Sequence, residues 1–332
     1  MSSYKRAGSG LIFGLFLIFL STASTFAQGN RTDVFVLEDR LSKTYPLKAG
    51  GFFYLENVVG DIRVKTWNRN EVKIDVDLRG RSREDIEIEI YHTENEIEVS
   101  TNYENDDYFQ NQNRRRHSVE YTVSIPKNTR TELKGTTSTI KIEDLNNKLT
   151  AVTITGDLDV KNITGNVDLR TTTGRAYISN ITGDIECTVV TGDIEILNSK
   201  FTYLDVVNTT GDIEVEAQDV DPRSKYNLKT VTGDIDLYLP KNVKADINAS
   251  VPTKNFHSDF KLESRSGKYD KKEEDRIEER RDRRRRDRDF NFDIKIDIDL
   301  DFLPKKIEGQ INGGGARIYL STFNGDIELR SF

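Results

Sequence analysis

The sequence predicts an all-β chain: a single-stranded parallel β-helix, that is, a β-solenoid of about 18 residues per coil, with an N-terminal β-sheet cap. Three observations carry that expectation. A short phrase recurs between residues 154 and 237, as TGDLDV, TGNVDL, TGRAYI, TGDIEC, TGDIEI, TGDIEV and TGDIDL. Its glycines Gly156, Gly165, Gly174, Gly183 and Gly192 stand nine residues apart, with Gly211 and Gly233 following at nineteen and twenty-two. Inside each unit the second and fourth residues after the glycine are apolar and their neighbours polar, the period-two pattern of a strand with one buried face.

A nine-residue unit is a strand plus a turn. Glycine suits the turn because it reaches positive φ without a Cβ clash, and the Asp or Asn after it can hydrogen-bond nearby backbone. If two units make one coil, like positions stack. One side then reads Ile140, Leu158, Ala176, Ile194, Ile213, Ile235, beside Ile142, Val160, Ile178, Ile196, Val215, Leu237. The other reads Leu149, Val167, Ile185, Leu204, Tyr226, beside Ala151, Leu169, Cys187, Val206, Leu228. These four columns survive the two longer spacings, so the extra residues near Lys200 and in Asp219–Arg223 are expected to bulge out. Coils would rise about 4.8 Å each. Antiparallel hairpins through the same turns are the rival, but they need no eighteen-residue period.

In chain order, residues 1–27 read as a signal peptide, with Lys5 and Arg6 before the apolar run Leu11–Leu20 and a small-residue cleavage site ending at Ala27. That run is short for a membrane-spanning helix. No cysteine directly follows it, so lipoprotein processing at that site has no acceptor. No later stretch is apolar enough to cross as a helix, so no transmembrane segment is expected in the mature chain, which would be periplasmic, on the cell surface or secreted.

Residues 28–48 read as a polar lead-in with one apolar patch, Val34–Leu37, and the fold is expected to begin near Ala49. Residues 49–130 hold the cap and first coil. Phe53, Leu55, Ile62 and Val64 flank Gly60 in the register of the central coils, whereas residues 71–125 alternate without the glycine corner. An open solenoid end would expose unpaired backbone and apolar columns, which is why a paired sheet is expected there. Asn102–His117 reads as an exposed loop. The repeats fill 131–267, with Ser138 in place of glycine at the first corner and a weak strand at Val243–Val251. Residues 268–289 form a charged insertion of mixed sign, read as a solvated loop or marginal helix. Residues 290–332 would be the final coils. Phe290–Phe302 alternates strictly, and Ile318, Leu320, Gly325, Ile327 and Leu329 restore the central register.

Removing residues 1–27 moves the net charge from −7 to −9, which disfavours phosphate backbones and argues for no nucleic-acid partner. Cys187 is the sole cysteine, so no intrachain disulfide can form, and its inward column makes it an apolar filler. His92, His117 and His257 lack metal-ligand spacing and read as surface residues. Gly313–Gly315 lacks the lysine of a phosphate loop and reads as a turn. Asn162, Asn180 and Asn208 fall in NxT triplets that the repeat wording produces.

The chain resembles the bacterial candidate-adhesin family written DUF4097, related to head-domain adhesins with a GIN motif. The residues that carry the likeness are FFYLENVVGDIRVKTW at the front, the TGDI repeats, and INGGGARIYLSTFNGDIELRSF at the end, together covering about Ala49 to Phe332. The resemblance implies an exported β-solenoid of undefined biochemistry, discussed with cell-surface adhesion or envelope stress. It supplies no catalytic residues.

Three functions are open at this point. The first is a non-enzymatic surface or periplasmic solenoid, a binding or structural protein for a glycan, an envelope protein or its own copies. Thr155, Thr173, Thr191, Thr210 and Thr232, with Tyr177 and Tyr238 expected to be exposed, would offer contacts. The second is a carbohydrate-active β-helix enzyme, a polysaccharide lyase or hydrolase. The outward acids Asp159, Glu195, Glu214 and Asp236 form a repeated ladder rather than a singular pair, so no catalytic residues are expected. The third is an envelope-stress regulatory protein. No cofactor is expected. Asp193, Asp212 and Asp234 should form a column at about 5 Å spacing, below Arg175 and Asp157. Each Asp either caps its own turn or shares a hard cation such as calcium.

Overall fold

Alternating apolar and polar residues between glycine corners fold here as strands and turns, with no helix among the described residues. The computed structural model describes residues 31–80, 86–103, 117–251, 255–263 and 306–332. The chain enters through β1 (Arg31–Val36) and β2 (Arg40–Pro46), then β3 (Phe52–Val59) and β4 (Ile62–Trp67) on either side of Gly60. Next come β5 (Glu71–Arg79), β6 (Ile86–His92), β7 (Glu96–Tyr103) and β8 (Ser118–Pro126). Regular coils run through β9 (Arg130–Thr137), β10 (Ile140–Glu143), β11 (Leu149–Thr155), β12 (Leu158–Lys161), β13 (Val167–Thr173) and β14 (Ala176–Ser179). They continue as β15 (Ile185–Thr191), β16 (Ile194–Lys200), β17 (Tyr203–Thr210), β18 (Ile213–Asp219), β19 (Lys225–Thr232) and β20 (Ile235–Leu239). The described strands end with β21 (Ala245–Ser250), β22 (Phe256–Ser258), β23 (Lys306–Ile311), β24 (Ala316–Asn324) and β25 (Ile327–Ser331).

Each coil sends one strand to each of two sheets. A 13-stranded sheet has the order β1-β6-β7-β3-β9-β11-β13-β15-β17-β19-β24-β21-β23, and a 12-stranded sheet has β2-β5-β8-β4-β10-β12-β14-β16-β18-β20-β25-β22. From β9 to β20 every neighbouring pair is parallel, which removes the hairpin alternative. The stacked columns are those read from the sequence. Leu149 lies over Val167, Ile185, Leu204, Tyr226 and then Ile318. Ile140 lies over Leu158, Ala176, Ile194, Ile213, Ile235 and then Ile327. All of these side chains are buried, and each large aliphatic one contributes about 1.5–3 kcal/mol. The expected bulge near Lys200 shows as register shifts between Ile196, Ser199 and Lys200, and the Asp219–Arg223 excess sits in the connection from β18 to β19.

Corner geometry explains the repeat wording. Gly192 has φ of 136°, and a Cβ built there would lie 2.1 Å from the carbonyl oxygen of Gly174 in the coil before, so the stack admits no side chain at that corner. Other corners use left-handed Asn or Asp, whose side chains tolerate that region. Asp144, Asn162 and Asn180 have φ of 66°, 57° and 57°. They also form a ladder, with Asn162 Nδ2 donating to Asp144 Oδ1 at 2.9 Å and Asn180 Nδ2 to Asn162 Oδ1 at 2.9 Å. Asn162 and Asn180 therefore hold corners.

Both ends differ from the sequence reading. The stretch expected as a lead-in contains β1 and β2, paired antiparallel to β6 and β5, so the fold already includes Arg31–Pro46, upstream of the expected start near Ala49. Its inward positions include polar residues, Asp33 and Lys43, which hid the alternation. At the other end β24 and β25 slip between the layer of β19 and β20 and the layer of β21 and β22. The last segment of sequence is thus not the outermost layer. The charged insertion 268–289 and the Phe290–Phe302 alternation lie outside the described residues, as do 104–116 of the expected Asn102–His117 loop.

Candidate functional site

The most regular polar surface is the corner that carries Thr-Gly-Asp. Parallel register sets Thr155, Thr173, Thr191, Thr210 and Thr232 in one exposed file, because every coil turns at the same point. One residue beyond each glycine lies the expected acidic column. Asp193 Oδ1 accepts the N–H of Asp212 at 3.1 Å, Asp212 Oδ1 that of Asp234 at 2.8 Å, and Asp234 Oδ1 that of Asp326 at 2.8 Å. Asp157 does the same for Arg175 at 2.8 Å. The three aspartates do stack. Each carboxylate, however, ties down the corner of the following coil rather than capping its own.

A second ladder runs behind this one, and the sequence reading missed it. Three residues before the corner, Thr153 donates to Ser138 O at 3.0 Å, Thr171 to Gly156 O at 3.1 Å and Asn208 to Gly192 O at 2.8 Å. Thr230 and Thr322 repeat the contact to Gly211 O and Gly233 O at 3.2 and 2.9 Å. The available signal was a Thr or Asn at the third position before most corners, on an inward face that is otherwise apolar. The corner is thus laced from both sides, and the result is a rigid edge.

The 12-stranded sheet presents the other repeated surface. Outward from its core stand Arg63, Lys141, Asp159, Tyr177, Glu195, Glu214, Asp236 and Glu328, one per layer. The first part is neutralised: Lys161 lies 3.0 Å from Asp159 and 4.9 Å above the Tyr177 ring. The second part stacks acid on acid, relieved at its end by the Arg330 pair with Glu328. Burial, then the charge of Glu328, pushes the Asp236 carboxyl up to about 6. Burial, then Glu195 and Glu216, raises Glu214.

That shift predicts a pH dependence. A carboxyl whose folded pKa exceeds its unfolded value binds its proton more tightly in the fold, so stability falls as pH rises from the ordinary carboxyl value of 3.8 to about 6. In melting curves across that window, Asp236→Asn should reduce the slope and raise the midpoint above that of the parent at pH 7. An unchanged slope would show that the ladder carries no strain there.

The outward face of the 13-stranded sheet is different. Asp168 and Asp205 are each 4% exposed and Arg170 7%, so this strip is covered. Arg170 Nε lies 3.4 Å from Asp168, and Asn227 donates to Asp205 at 2.7 Å.

Several single residues move from their expected places. His117 is buried against the Tyr103 ring rather than on the surface, and His92 sits 3.5 Å from Asp33, while His257 is exposed. Tyr177 and Tyr238 are half-buried rather than exposed. Cys187 is buried in its column, and burial pushes its thiol well above the usual range. Among the described residues no three His, Cys, Asp or Glu side chains are grouped so as to hold a metal ion, and no helix is long and apolar enough to cross a membrane.

A family model described as Toastrack DUF4097 matches residues 55–285. Among solved structures, a candidate cell adhesion protein from Clostridium sporogenes aligns over 88% of this chain and 100% of its own, at 11% identity and a TM-score of 0.24. That score is too low to bear on function. No curated protein matches the chain.

Proposed function

The chain belongs to the Toastrack DUF4097 family, and from that premise we propose that it is a non-enzymatic envelope protein, an adhesin-type solenoid that binds through its repeated polar surfaces. On this reading residues 1–27 direct export, and the chain works in the periplasm, on the cell surface or outside the cell. Its partner is a glycan, an envelope protein or another copy, and nucleic acid is disfavoured by the acidic balance. The observation that supports the reading most is repetition. The Thr file and the outward column of the 12-stranded sheet place equivalent groups one layer apart, about 4.8 Å, which suits an extended partner held by many weak contacts.

One feature favours a carbohydrate-active enzyme instead. Asp236, with its raised carboxyl, neighbours Glu328 across one layer, and a pair of adjacent carboxyl groups is what glycoside hydrolysis uses. A glycan-array screen followed by product analysis separates the two. Binding without cleavage is the expected result. New reducing ends or unsaturated products, lost in Asp236→Asn, would establish the enzyme.

Calcium supplies a further test. One oxygen of Asp193, Asp212 and Asp234 already accepts a backbone N–H, so the thermal midpoint should not move in millimolar calcium. A rise that vanishes in Asp212→Asn would make the column a cation site.

A further inference from the structure

The two ends of the stack are finished differently. At the far end β22 has three residues, and Glu263 and Gln310 of β23 exchange N–H to carbonyl bonds at 3.0 and 2.8 Å. Short or covered edges of this kind resist pairing with another chain. At the first end, β1 and β2 are the terminal strands, six and seven residues long, each paired on one side only among the described residues.

Register shows which groups face outward. The Leu37 N–H donates to Ile86 O at 2.7 Å and the Leu78 N–H to Asp39 O at 2.8 Å. Hydrogen-bonded pairs alternate in an antiparallel ladder, so Arg31, Asp33 and Phe35 bond to β6, and Leu41, Lys43 and Tyr45 bond to β5. The backbone groups of Thr32, Val34 and Val36, and of Arg40, Ser42 and Thr44, therefore point off the end of the stack. Val34 and Val36 are 56% and 57% exposed. Phe35 and Leu41 are only partly buried, as befits the last core layer among the described residues.

We infer that a second copy of this chain docks on that end, head to head, pairing β1 with β1 and β2 with β2 antiparallel about a twofold axis that passes through both sheets. Two features choose this occupant. Both sheets terminate together, so filling both edges takes two strands held about 10 Å apart, the spacing between packed sheets. A lone extended peptide lacks that pair, and a second copy has it. Charge agrees: over residues 31–46, Arg31, Arg40 and Lys43 balance Asp33, Glu38 and Asp39, although the whole chain carries −7, so the copies meet without net repulsion at this end. The finished far end stops growth at the dimer, because a twofold contact uses the same surface on both copies. This deepens the self-association option above and stands whether or not the polar faces bind a glycan.

The test is sedimentation of the full chain, in the processed form its host yields, over a concentration series, beside Val34→Pro/Thr44→Pro. Both prolines replace N–H groups that no described strand uses, so the fold is expected to be retained, and its unfolding midpoint checks this. The parent should dimerise and the variant should stay monomeric. Independently, the Val34, Val36, Ser42 and Thr44 amides should exchange about tenfold more slowly or better where dimer dominates. The inference is overturned by a parent still monomeric at about 1 mM, by a dimer that the folded variant retains, by assemblies larger than two, or by amide exchange independent of concentration.

Discussion

Gly192→Ala should destabilise the protein by about 3 kcal/mol or more in urea unfolding, beyond the ordinary cost of a left-handed alanine. Two separate penalties meet at this position. The first is conformational: φ of 136° is territory that L residues avoid. The second belongs to the stack, since the new Cβ would meet the Gly174 carbonyl oxygen at 2.1 Å, backbone against backbone, with no flexible side chain to yield. Relief requires the coils to part, and the bonds nearest the corner resist. Gly174 N–H to Thr191 O and Gly192 N–H to Thr210 O are both 3.0 Å. Gly313→Ala is the control. Its φ of 84° is also left-handed, but nothing lies within 4 Å of its added Cβ, so about 1–2 kcal/mol is expected. The difference between the variants measures the contact between coils together with the extra strain of φ 136° over 84°. Equal costs would mean that φ alone selects glycine here, and the close stacking of corners would lose its explanatory role.

The contrast between these glycines also shows what the sequence could carry. Columns such as Leu149, Val167, Ile185 and Leu204 were legible because burial demands an apolar residue at every layer, and the nine-residue spacing labels the layers. The family likeness and the parallel fold followed from the same words. Other features depend on partners that a pattern does not name. Asp212 reads as a turn-former, but nothing in its spacing says that its carboxylate serves Asp234 rather than its own turn. Thr171 and Thr230 interrupt an apolar face, and their purpose becomes visible only once the carbonyl of the preceding corner is seen beside them. β1 and β2 escaped because an end layer tolerates inward Asp33 and Lys43, with Tyr45 donating to Asp33 at 2.8 Å and Lys43 lying 4.1 Å over the Phe35 ring. The intercalation of β24 and β25 was beyond reach for another reason. A repeat specifies the shape of a coil, and any coil of that shape satisfies its neighbours, so the order of layers leaves no mark in the wording.

Asn57→Leu should be the other severe substitution, costing about 2–4 kcal/mol despite keeping the branched side-chain shape and adding apolar surface. Asn57 occupies the position three before the Gly60 corner, 1% exposed, where the cap meets the regular coils. Its Nδ2 donates to Gly60 O at 3.0 Å and to Val119 O at 2.8 Å, which joins β3 to β8 across the core. Its Oδ1 accepts from Thr101 Oγ1 at 3.2 Å, and Thr101 shares a 2.6 Å contact with the fully buried Tyr121 hydroxyl. Leucine strips the donors from this chain and leaves Thr101 to satisfy itself with Tyr121 alone. Tyr121→Phe should cost only about 1 kcal/mol, because Thr101 can still turn to Asn57. The double variant should then lose less than the sum, since each single change already breaks the shared chain. Asn57→Asp adds a check by titration. Burial would raise the new carboxyl's pKa in the fold, so the variant should come closer to the parent at pH 4 and fall further behind as pH rises through that folded value. If the leucine variant unfolds within about 0.5 kcal/mol of the parent, or the double cycle is additive, the junction is held by its apolar columns and the polar chain is incidental.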